Sequence, residues 1–164
     1  MSAKKEFLLK AEEIVGIPEF EARHPLNSDS EAYIRSLSNE VGLEQIGVHI
    51  TRLPPGKEAN AYHTHTYEEE FYYILSGRGV ILFDGQEYEV GEGDFAGFKP
   101  SSAPHLLRNP FDRDLVYMVG GERRAFEIAE FPKCGRTMIR DSEKAWVVEN
   151  DALQVIWRKD PEAE

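Results

Sequence analysis

From residue 45 onward the chain is cut into short β-rich runs by glycine, proline and an Asp-Gly pair, with little helical period between them. Residues 45–53 read QIGVHITRL and stop at Pro54-Pro55-Gly56. FYYILS ends at Gly77, where a turn is expected. VILF and YEV flank Asp84-Gly85, which suits a type I′ turn because both central residues of that turn need positive φ. Gly91 and Gly93 mark the next turn, DFAGFK runs to Pro100, and LVYMVGG follows His105. Many short strands closed in this way predict an all-β sandwich or barrel rather than parallel β-α-β units. A small barrel has an inward face that holds one ligand, with loops at its mouth to control access.

The flanks are less regular. Phe7, Leu8 and Ala11 share one side of a short helix expected over residues 4–14. Pro18 and Pro25 interrupt the chain beyond that helix, so residues 16–30 read as an irregular arm that covers a barrel edge or reaches a partner subunit. His24, within this arm, reads as a surface residue. Between 126 and 145 the strand pattern weakens around Pro132 and Gly135, and AWVVEN with ALQVIW, separated by Asn150-Asp151, predict a final hairpin. The organisation expected is one domain over 1–164: an N-terminal arm 1–44, a barrel core of about 45–120 and a C-terminal extension 121–164.

Thirty acidic against 19 basic residues give a formal charge of −11, which argues against nucleic acid and anionic membranes as partners. It leaves room for a small anionic ligand, whose binding local groups decide. Cys134 is the single cysteine, so no intramolecular disulfide forms and a reducing, cytoplasmic setting is expected. FLL near the N-terminus is too short for a signal-peptide core, and no apolar run approaches the roughly 20 residues a membrane helix needs.

Chemistry concentrates between Gly56 and Gly77. On a strand, His63 and His65 point to the same face, and Glu70 reaches that face from the next strand once the chain turns around residues 66–69. Two imidazoles and a carboxylate converging in this way suit a divalent first-row metal. A further donor is needed, and the second glycine-punctuated stretch, from Gly93 to Asn109, offers His105. His49 lies on the preceding strand, either as an ordinary strand histidine or as a residue of the same pocket. Tyr72 lies on the same face as Glu70, as packing or as a proton relay.

The two stretches together resemble the paired motifs of the cupin superfamily. The first motif runs G, five residues, H-x-H, three or four residues, E, six residues, G. Here it is Gly56, six residues, His63-Thr64-His65, four residues, Glu70, six residues, Gly77. The second runs G, five residues, P-x-G, two residues, H, three residues, N. Here it is Gly93, six residues, Pro100-Ser101-Ser102, two residues, His105, three residues, Asn109. The departures are one extra residue in each opening gap and Ser102 in place of glycine, which implies a turn without positive φ at that position.

The resemblance implies a double-stranded β-helix, or jelly-roll barrel, and carries metal binding onto His63, His65, Glu70 and His105. It implies one divalent transition metal per chain, of which zinc, manganese, iron and nickel all suit imidazole with carboxylate. Sugar-phosphate isomerases occur among cupins, so the reading drawn from the resemblance is a metal-dependent enzyme acting on a small oxygen-rich molecule such as a sugar phosphate. Arg52, Lys99, Arg108 and Tyr62 are the candidate substrate contacts, the basic ones for a phosphate. Two other readings stay open: an Fe(II) dioxygenase, and a small-molecule-binding module without turnover, its wall built from the aromatics near the motifs. A homodimer is expected, with segments outside the barrel long enough to be exchanged between subunits.

Overall fold

The computed structural model describes residues 6–157. Its strands are β1 (Phe20–Ala22), β2 (Ala32–Ser36), β3 (Ile46–Leu53), β4 (Thr64–His65), β5 (Glu70–Ser76), β6 (Arg78–Phe83), β7 (Gln86–Gly91), β8 (Phe95–Phe98), β9 (His105–Arg108), β10 (Leu115–Glu122), β11 (Glu127–Phe131), β12 (Arg136–Arg140) and β13 (Ala145–Glu149). Two short helices, α1 (Ala11–Gly16) and α2 (Leu37–Glu40), lie outside the sheets. One sheet has the order β1-β2-β3-β10-β5-β8, a second β13-β12-β11-β4 and a third β7-β6-β9. An antiparallel bridge between His63 and His105 joins the second sheet to the third. Antiparallel pairing throughout these sheets makes a jelly-roll barrel, the double-stranded β-helix expected from the motifs.

The alternating pattern of the strands builds the interior. Leu53, Tyr72, Ile74, Ile81, Leu107, Leu115 and Tyr117 form the main core, drawn from strands of the first and third sheets. Each large aliphatic side chain buried there contributes roughly 1.5–3 kcal/mol relative to an exposed one. Phe98 of β8 belongs to the same core and meets His105 of β9, so the layers touch where the candidate donors lie. The β6–β7 hairpin turns through Asp84 at φ 50° and Gly85 at φ 74°, as the Asp-Gly pair predicts.

The flanks correct several expectations. The helix covers Ala11–Gly16 rather than 4–14, of which residues 4 and 5 lie outside the described residues. The Glu13 carboxylate accepts from the Lys10 backbone N–H and fixes the helix start there, and no residue of the helix is buried. The arm holds strand β1, paired with β2, which in turn pairs with β3, so the first sheet extends N-terminal to residue 45. Residues 126–145, weak in pattern, contain β11 and β12. β13 pairs with β12 instead of forming a hairpin with 152–157, because Asn150–Ala152 turn in a 3₁₀ helix and no strand comes after it among the described residues. Among the described residues no helix is long and apolar enough to cross a membrane.

Candidate metal centre

Backbone pairing delivers three of the four expected donors. His63 and His105 exchange both of their backbone hydrogen bonds, at 3.1 and 2.7 Å, which sets their imidazoles side by side. Two residues on, His65 of β4 presents its ring to the same space. Glu70 opens β5 after the turn at 66–69, opposite Gly121 on one side and Phe98 on the other.

The donor atoms converge. His63 Nε2 lies 3.1 Å from His65 Nε2, and His105 Nε2 lies 2.8 Å from Glu70 Oε2. The same carboxylate oxygen is 3.9 Å from both His63 Nε2 and His65 Nε2. His63 Nδ1 donates to the Ala61 carbonyl at 2.8 Å, and since a carbonyl only accepts, Nε2 of the neutral ring carries the lone pair. Burial pushes the His63 pKa down to about 3, so this ring is neutral at physiological pH. Burial raises the Glu70 pKa, but the His105 hydrogen bond and the neighbouring imidazoles outweigh it and hold the carboxyl below its ordinary value. Three imidazole nitrogens each within 3.9 Å of one carboxylate oxygen are the donor types a divalent first-row cation wants, so these residues fit such an ion.

The surrounding residues hold that set in place. The Tyr72 hydroxyl donates to Glu70 Oε2 at 3.1 Å, and burial followed by the nearby carboxylate pushes its own pKa well up. Phe98 stacks on His105 with ring centroids 3.7 Å apart and planes 4° from parallel. Glu70 and Phe98 line a cavity of about 570 Å³, together with Phe71, Phe83, Phe95 and Lys99. Gly121 narrows to backbone contact beside Glu70, since a Cβ there would meet the Glu69 carbonyl at 2.9 Å. The turn before His105 takes its positive φ at Ser101 (56°) rather than at Ser102, so the serine at the motif's glycine position is unstrained.

The remaining sequence candidates are divided. Lys99 lines the cavity. Arg52 stacks on Tyr33 and pairs with Glu19 at 2.8 Å, and Arg108 pairs with Glu87 at 2.6 Å; neither lines the cavity. Tyr62 accepts from the Gly85 backbone N–H and lies under Lys133, also away from it. His49 is half-buried on β3 opposite Val119 and makes no hydrogen bond or ring contact with the four donors among the described residues. His24, expected at the surface, is partly exposed and partly packed: it accepts from Leu26 N–H through Nδ1 and packs on Phe131.

Two buried acids escaped the reading of the sequence. Glu68 and Glu127 lie beside His65, their donor atoms within 4.8 Å of one another and of a nitrogen of that ring. The signal for Glu127 is its place in the alternation Glu127, Ala129, Phe131, where all three side chains are buried and an apolar one is expected first.

Comparison with known proteins agrees with this geometry. The cupin domain family matches residues 49–121, the segment that holds all four donors. A proposed sugar phosphate isomerase of Acidithiobacillus ferrooxidans is 32% identical in sequence, with a TM-score of 0.90 over 93% of this chain and 98% of that one. The chain belongs to the cupin superfamily. A second cupin, named as a sugar phosphate isomerase of Silicibacter pomeroyi, shares the fold at a TM-score of 0.75 and 24% identity over 84% of this chain and 89% of that one. An oxalate-binding protein of Thermotoga maritima is 36% identical over 67 residues, 41% of this chain. This cupin spans 54% of the length of that relative and 37% of another curated relative, an uncharacterised protein of Methanocaldococcus jannaschii.

Proposed function

We propose that this cupin holds one divalent transition metal through His63, His65, Glu70 and His105, and that it is an enzyme isomerising a small oxygen-rich molecule such as a sugar phosphate. The observation that carries the reading is the convergence of four donors on one space, with Glu70 also lining the cavity. The similarity to the Acidithiobacillus ferrooxidans protein over nearly its whole length supports the isomerase class. A metal bound there supplies Lewis acidity toward a carbonyl or hydroxyl oxygen. The chain's own residues do the rest: Tyr72 holds the Glu70 carboxylate, Phe98 holds the His105 ring, and Lys99 meets an anionic end of the substrate. The test is a panel of aldose and ketose phosphates assayed with protein loaded in turn with zinc, manganese, iron and nickel. Interconversion of one pair, lost in His105→Ala, supports the proposal; no turnover with any metal contradicts it.

One observation favours a second reading. Four phenylalanines line the cavity and Lys99 is the cation among its lining residues, which suits a substrate with an apolar body and a single acid group. An Fe(II) dioxygenase would use such a site, and oxygen uptake with ferrous iron and aromatic or branched carboxylates distinguishes it from isomerisation. Saturable binding without product would instead identify a binding module.

We also propose a homodimer. Trp146 and Val147 on the edge strand β13, with Val155, Ile156 and Trp157 beyond it, leave a set of large apolar side chains exposed. Light scattering is expected to give twice the 18.7 kDa chain mass; a mass near 18.7 kDa contradicts it.

A further inference from the structure

Glu127 is the most fully buried acid in the region, at 0% exposure, and few polar groups face it. Its Oε1 accepts from the Thr66 backbone N–H at 2.7 Å and its Oε2 from the Tyr67 N–H at 3.1 Å. His65 Nδ1 lies 3.6 Å from Oε1, itself buried and without a hydrogen-bond partner. No lysine or arginine among the described residues forms an ion pair with Glu127. Glu68 beside it differs: its Oε1 accepts from Arg124 N–H at 2.7 Å and pairs with the Arg140 guanidinium. A buried carboxylate without an ion-pair partner is costly unless the neighbouring imidazole turns an N–H toward it.

We infer that Glu127 is a positioning residue for the metal centre: it takes the Nδ1–H of His65 and thereby directs the Nε2 lone pair at the space shared with His63, Glu70 and His105. This rests on the metal-binding reading proposed above. The 3.6 Å separation exceeds hydrogen-bond length, and a small turn of the imidazole closes it. The two histidines of the H-x-H pair are then oriented by different acceptors, a neutral carbonyl at His63 and a carboxylate at His65. A carboxylate partner fixes the tautomer and raises the basicity of the ligating nitrogen. A separate cation held by His65, Glu68 and Glu127 is disfavoured, because Arg140, Arg124 and the two amides already occupy the carboxylates.

Zinc affinity, measured by competition with a chromophoric chelator, tests the inference. Glu127→Gln is expected to weaken zinc binding by about 10–100-fold. Glu68→Gln, which loosens the same loop but replaces a carboxylate already held by Arg124 N–H and Arg140, is expected to lose far less. In a His65→Ala background, Glu127→Gln should add no further loss. Additive losses in the double variant, or equal losses in the two glutamine variants, would overturn the inference in favour of a simple loop clamp. A second zinc per chain, removed by Glu127→Gln, would overturn it in favour of a separate cation site. Should Glu127→Gln fail to fold, ¹⁵N spectra of the zinc-loaded wild type decide: a His65 protonated on Nδ1 supports the inference and a bare or metal-bound Nδ1 overturns it. Wild-type protein that takes up none of zinc, manganese, iron and nickel overturns both this and the metal-binding reading, whereas tight wild-type binding indifferent to Glu127 overturns this alone.

Discussion

Phe98 lies flat against His105 and closes the core on one side of the candidate metal centre. Phe98→Ala removes a buried ring that both fills volume and fixes the imidazole. A loss of about 3–5 kcal/mol in urea unfolding is expected, together with weaker metal binding; an unchanged unfolding midpoint would contradict this packing role. His24 acts on stability through charge. Burial lowers its pKa below 6.5, so the folded state binds its proton less readily than the unfolded chain. Stability from this group is therefore fully present above pH 6.5 and is lost as pH falls through the lowered folded value. His24→Gln should flatten the dependence between pH 7 and pH 5, measured by unfolding at each pH; an identical slope in the variant would show that His24 plays no part in it.

The strands that present the donors depend on close backbone approach. Gly121 of β10 lies against Glu69 and Glu70, and a methyl group there must push the Glu69 carbonyl away. Gly121→Ala should therefore lower metal affinity by shifting the start of β5; affinity equal to wild type would mean that Glu70 is placed by other contacts. This element scale also explains what the sequence disclosed. β3 and the β6–β7 hairpin were legible because alternation and turn residues act within a few positions, as Asp84 and Gly85 do. His63 and His65 were legible for the same reason, a spacing of two on an extended chain. β11 was not, since its first inward position is Glu127 rather than an apolar residue. The partnership of Glu127 with His65 depends on β4 pairing with β11, a long-range register that no local pattern specifies. Arg52 and Arg108 were plausible phosphate contacts by nearness in sequence, but Glu19 and Glu87 engage them in space.

At the scale of the whole molecule, a jelly-roll barrel brings its candidate donors to one point where the sheets meet. The backbone bridge between His63 and His105 joins the sheets and also brings two of the donors together, so fold and site are made by the same contact. Folding thus assembles the donor set, and metal binding is expected to stabilise the folded chain in return. The most direct test is the metal content of protein purified without added metal and then titrated, beside His105→Ala. About one divalent metal per wild-type chain, lost in the variant, is the predicted result. Wild-type protein without metal that takes up none on titration would contradict the four-donor metal centre itself.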